Sequence, residues 1–214
     1  MADLPLRLGG ELDERLARSL DVEGKIPRAL EVLGPIGGRD VLLLDDPALG
    51  GRDGLRARQL RDLGGRVTVA PEPGGATPGA TIGFDAPDAS ADVVVGFWTS
   101  FRGAAPAELA EANRVGRPGG RLLVVHDYGR DDVSRLRGNL PEYGAWGRRG
   151  GPFLANGFRV RVIHCFWMFD SIDDGADFLG AAFGDVGREV AATMKRPRLS
   201  YNVAVYHRDL GMPG

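Results

Sequence analysis

The chain has 214 residues, 43% hydrophobic and 26% charged, which suits one soluble globular domain with a sizeable core, or one domain plus a small appendage. With 27 basic residues against 29 acidic ones, the formal net charge is −2. That excludes a domain built mainly to hold nucleic acid, because neutralising phosphates requires a clustered positive surplus.

The chain then reads as follows. Gly10 to Leu33 is helical: Leu12, Leu16 and Leu20 lie one turn apart, and Ile26, Leu30 and Leu33 repeat the spacing after a break at Gly24. Pro27 fits the first turn of the second helix, where a missing N–H costs little. The turn cluster Gly34–Asp40 leads into a strand at Val41–Leu44. That strand is continuously apolar rather than alternating, so it reads as the interior of a parallel sheet covered on both faces. A helix follows at Arg52–Leu63, a strand at Val67–Ala70, and a glycine- and proline-rich stretch from Pro71 to Ala80. A short strand is expected at Ala80–Phe84, and a continuously apolar one within Asp92–Trp98. Then come a helix at Ala107–Val115, the turn "RPGG" and a strand at Arg121–Tyr128. This rhythm of strand and helix is that of right-handed βαβ units in a doubly wound sheet. Beyond Tyr128 the expected elements are a helical piece at Val133–Arg137, a long strand at Phe158–Phe169, a helix within Ser171–Lys195 and a final alternating strand at Leu199–His207. The last two strands should form an antiparallel edge pair.

No apolar run approaches the ~18 residues of a membrane span. Met1–Glu14 is mixed and acidic, so no secretory leader is expected. One cysteine, Cys165, fits a reducing cytoplasm. Only Lys25 and Lys195 among the basic residues are lysines, a bias that together with 33 glycines and 14 prolines reads as genomic background.

The stretch "PDASADVVVGFWTSF" (Pro87–Phe101), followed by "ELAEANRVGRPGGRLLVVHDY" (Glu108–Tyr128), resembles the middle of a class I S-adenosylmethionine-dependent methyltransferase. In that family an acidic turn enters the fourth strand, and a helix ending in R-x-x-R-P-G-G delivers the fifth. Arg114, Arg117, Pro118, Gly119 and Gly120 supply that ending here. The resemblance implies an α/β fold: a doubly wound, Rossmann-like, mostly parallel seven-stranded sheet with an antiparallel last strand. Residues 1–34 form an N-terminal helical segment and candidate lid, and 35–214 the methyltransferase-like domain. Pro118, Gly119 and Gly120 read as scaffold, since they permit a helix stop and a positive-φ return to the sheet.

The implied cofactor is S-adenosylmethionine. Its loop, after the strand Val41–Leu44, departs from the family pattern: glycine positions read Asp45, Pro47 and Leu49, with Gly50 and Gly51 arriving late. Asp45, Asp46, Gly50 and Gly51 are the candidate contacts there. Glu72 is the candidate acid for the ribose, Asp85 a stand-in for the acid that meets adenine, and Trp98 a further contact at the end of the fourth strand. Losing two charge-assisted hydrogen bonds at ~1.5–3 kcal/mol each would weaken binding about a hundredfold or more.

His126, Asp127 and Tyr128 stand at the carboxyl end of the fifth strand, where open α/β sheets place their ligands. His126 is the candidate base, with Asp127 or Tyr128 orienting it or the substrate; a half-buried strand-end histidine is the competing reading. His164 and Cys165 are strand neighbours and face opposite ways, so they do not form a nucleophilic pair. No "HExxH" or "CxxC" marks a metal site. Trp146 and Phe153 are pocket or lid candidates, whereas Trp167 and Phe169 read as core. The basic run Met194–Arg198 reads as cations complementing a helix end. The expected partner is a small-molecule substrate, with neither nucleic acid nor membrane. The rival reading is an inactive member of the fold serving as a dimerisation or partner-binding module, with a homodimer left open. A nucleotide-dependent oxidoreductase is disfavoured because no "GxGxxG" follows a strand.

Overall fold

The computed structural model describes residues 5–45, 54–71, 83–140 and 142–211. Their strands are β1 (Asp40–Asp45), β2 (Arg66–Pro71), β3 (Ala91–Phe97), β4 (Gly116–Asp127), β5 (Arg159–Met168) and β6 (Arg198–Asp209). The helices are α1 (Gly10–Ser19), α2 (Lys25–Leu33), α3 (Leu55–Asp62), α4 (Pro106–Val115), α5 (Asp132–Leu136) and α6 (Ile172–Ala192). All six strands form one sheet in the order β2-β1-β3-β4-β6-β5. β1 to β4 run parallel, and β6 is antiparallel to both β4 and β5. The reversed last strand and the edge pair therefore match expectation. The seven-strand count does not hold among the described residues: Gly83 and Phe84 lie outside any strand, and 80–82 fall outside the described set.

The apolar runs behave as fully covered strands because successive side chains enter different cores. Val41 and Leu43 join the larger core, while Leu42 and Leu44 join the smaller one. Likewise Leu123 and Val125 face one way, Leu122 and Val124 the other. The larger core also takes Leu16, Leu20, Ile26 and Leu30 of the N-terminal region, so α1 and α2 pack directly with the sheet. Their connection lines the edge of β5. Leu20 bridges Trp167, and the Asp21 N–H donates to the Phe166 carbonyl. The Asp21 carboxylate accepts the N–H groups of Lys25 and Ile26 at 2.9 and 2.8 Å, satisfying donors at the start of α2.

The "RPGG" segment passes from α4 straight into β4, with an irregularity in the pairing to β3 between Ala91 and Val93. Gly119 has φ +79°, and a Cβ on Gly120 would lie 2.6 Å from the Asp92 carbonyl oxygen. Close backbone approach thus explains the second glycine, and a left-handed turn the first. Among the described residues no helix is long and apolar enough to cross a membrane.

Candidate functional site

From β1 the chain crosses through α3 to β2 on one side, then returns to β3 on the other side of β1. The carboxyl ends of β1 and β3 therefore border the topological switch point, where doubly wound sheets open a crevice for ligands. Asp45 closes β1 there with 3% of its surface exposed. Asp46, Gly50, Gly51 and Glu72 lie outside the described residues.

At the tip of β3, Phe97 and Trp98 both pack on the larger core, although consecutive residues of a regular strand would face opposite sides. The cause is the backbone: Trp98 has φ +48°, a left-handed conformation that non-glycine residues seldom adopt. Two bonds hold it there. The Trp98 N–H donates to the Val125 carbonyl at 2.9 Å, and the indole Nε1–H donates to Asp127 Oδ1 at 2.9 Å. Beside both rings lies Arg56, 1% exposed, with its guanidinium carbon 5.1 Å from each ring centroid. Its Nη1 donates to Gln59 Oε1 at 2.7 Å.

At the tip of β4, His126 and Asp127 diverge. Asp127 lies on the larger-core side, 8% exposed, and accepts four hydrogen bonds. The Trp98 indole and the Tyr201 hydroxyl donate to Oδ1; Arg137 Nη1 and the Tyr143 hydroxyl donate to Oδ2. Burial, reinforced by the Asp127 charge, pushes the Tyr201 and Tyr143 phenols above their ordinary range. Asp127 does not orient His126, because period two sends the neighbouring side chains to different faces.

His126 is 4% exposed, and its Nε2 lies 2.8 Å from Arg102 Nη1. A guanidinium only donates, so Nε2 accepts and the ring proton is assigned to Nδ1. Burial first, and the Arg102 charge second, hold His126 well below the usual imidazole value, so it is neutral near pH 7. The His126 ring meets Trp146 edge-on at 5.2 Å, and the Arg102 guanidinium lies over Trp146 at 4.9 Å. Glu108, in the first turn of α4, fixes the segment carrying Arg102 by accepting the backbone N–H groups of Arg102, Ala104 and Ala105.

No protein-family model and no curated protein matches the sequence. Among solved structures, a candidate Type II methyltransferase from Anaeromyxobacter dehalogenans aligns with a TM-score of 0.51. The two chains are 18% identical over 86% of this one and 94% of that one. A candidate methyltransferase from an antibiotic biosynthesis pathway of Anabaena variabilis ATCC 29413 gives 0.52, with 14% identity over 90% and 99%. The chain has the methyltransferase-like Rossmann fold.

In this methyltransferase-like frame, Tyr128 follows β4 on the His126 side, half-buried, with its backbone N–H donating to the Asn202 carbonyl at 2.9 Å. Asp85 is exposed and lines a hollow of about 100 Å³ with Asp40, Val41 and Ala91. That hollow lies at the amino ends of β1 and β3, away from Asp45 and Trp98. Phe153 is fully buried, stacked on Tyr206 at 3.8 Å, so it serves the core; Trp146 is half-buried against His126. Trp167 and Phe169 are core residues, as the sequence indicates. Cys165 is buried while His164 is exposed, the expected opposite facing. Among the described residues no group of side chains could hold a metal ion.

Sequence reasoning missed Arg56, Arg102, Arg137, Tyr143 and Tyr201. For Arg56 a signal existed, since it falls at an inward position one turn before the buried Leu60. The others meet β4 only through tertiary folding.

Proposed function

We propose that the protein binds S-adenosylmethionine at the switch point and methylates a small molecule. The observation that carries this reading is the buried acid Asp45 at the tip of β1, beside a tip of β3 where Trp98 is held in a left-handed conformation. The residues present fit such a group in kind: a carboxylate for its cationic or hydroxyl-bearing portion, and a half-buried aromatic surface for flat or apolar portions. When bound, the cofactor supplies an electrophilic methyl. The chain's own contribution is alignment of the acceptor over the tips of β3 and β4. With its Nε2 lone pair engaged by Arg102, His126 is a positioning residue for that guanidinium rather than a proton acceptor.

The same commitment of His126, together with the four bonds on Asp127, favours the rival reading of a non-catalytic, partner-binding or homodimeric member of the fold. Isothermal titration separates the two. S-adenosylmethionine and S-adenosylhomocysteine should both bind, and Asp45→Asn should weaken binding about tenfold or more through loss of a charge-assisted contact. An absence of heat at millimolar ligand would remove the methyltransferase reading.

A further inference from the structure

A second concavity, of about 320 Å³, opens where β5 ends and β6 begins. Its apolar lining is Phe166, Val190, Met194 and Leu199, and Lys195, Arg196 and Arg198 stand around it. Arg198 lies over the Phe166 ring at 4.2 Å, and Lys25 over the same ring at 5.3 Å. Both lysines of the chain thus gather at one corner of a protein whose net charge is negative.

Lys25 is engaged by Glu23 at 2.5 Å, and the Asp132 carboxylate on the wall is occupied by the Ser200 N–H, the Ser200 hydroxyl and Arg135. By contrast, among the described residues Lys195, Arg196 and Arg198 form no ion pair. The last turn of α6 holds no basic residue, and all three cations lie beyond its end at Ala192, so complementing the helix dipole does not explain them. That leaves three cations, none in an ion pair among the described residues, around a concavity lined in part by apolar and aromatic side chains. Such a combination matches a ligand with an anionic head and a small apolar body.

We propose that this concavity binds a small organic anion, an aryl or alkyl carrying phosphate or carboxylate. Three strand spacings separate β3 from β5, about 14 Å at ~4.8 Å per strand. The proposal rests on the concavity's own lining and stands whether or not the protein transfers methyl groups.

Amide chemical-shift titrations of the full chain test it, with phenyl phosphate and benzoate as probes and benzyl alcohol and inorganic phosphate as controls. At least one aryl anion should give saturable shifts centred on Phe166 and residues 190–200. Benzyl alcohol, and the same anion with Lys195→Glu/Arg196→Glu, should bind at least about tenfold more weakly. Both substituted positions are exposed, so the melting temperature should be unchanged; Arg198→Gln provides a second variant should the first fail to fold. Shifts that do not saturate, that are matched by benzyl alcohol, or that survive the charge reversal would overturn the site. Equal binding of inorganic phosphate would overturn the role given to the apolar side chains.

Discussion

The two ends of the sheet treat charge in opposite ways. At the amino end, Asp40 pairs with Arg66 at 2.6 Å and Arg117 at 2.7 Å, and Asp92 meets Arg117 at 3.0 Å, all near solvent. The hydrogen bonds of Arg66 and Arg117 hold the Asp40 carboxyl at about 2. At the carboxyl end, Asp45, His126 and Asp127 are buried, and burial forces phenols up and the imidazole down. Water would satisfy the first set without help. The second set is tolerated only because protein groups replace the lost water, and such groups concentrate where a fold performs chemistry.

The largest contrast should come from Asp127. Asp127→Ala leaves Arg137 and two tyrosine hydroxyls without their acceptor in a buried setting. It should cost about 3–5 kcal/mol in urea unfolding. A loss below ~1 kcal/mol would mean the carboxyl end is no more demanding than the amino end.

His126 sharpens the contrast through pH. Its native value is depressed, so below the ordinary 6.5 the unfolded chain takes up a proton that the native chain refuses. Stability should therefore fall as pH drops from about 7 towards 5, by up to ~1.4 kcal/mol per unit from this group. His126→Gln should remove that component of the slope, and an unchanged slope would contradict a neutral buried imidazole.

The smallest effect belongs to Asp40→Asn. Its shift in melting temperature should be slight and should vanish in high salt, because exposed pairs are screened.

How far the sequence reaches follows the same division. Val41–Leu44, Val93–Val95 and Leu122–Val125 announce buried parallel strands through composition alone, and Gly119–Gly120 announces the turn that feeds β4. Local chemistry decides those features. The arrangement at the tips depends instead on contacts far apart in the chain. Arg102 reaches His126 across 24 positions and Tyr201 reaches Asp127 across 74, separations that no periodicity encodes. Period two did contain the warning that His126 and Asp127 face apart, the rule that separates His164 from Cys165. The left-handed Trp98 was hidden, since neither composition nor period marks a tryptophan for positive φ.

The insertion of β6 between β4 and β5 has a consequence for biosynthesis. A chain leaving the ribosome can assemble β1 to β4 in order, yet Asp127 must wait for Tyr201 before its shell of donors is complete. Until β6 emerges, β4 borders an empty lane and β5 has no strand to zip onto. The nascent molecule thus carries an unfinished, sticky margin beside the tip of β4, and the closing ribbon seals the sheet and that corner together.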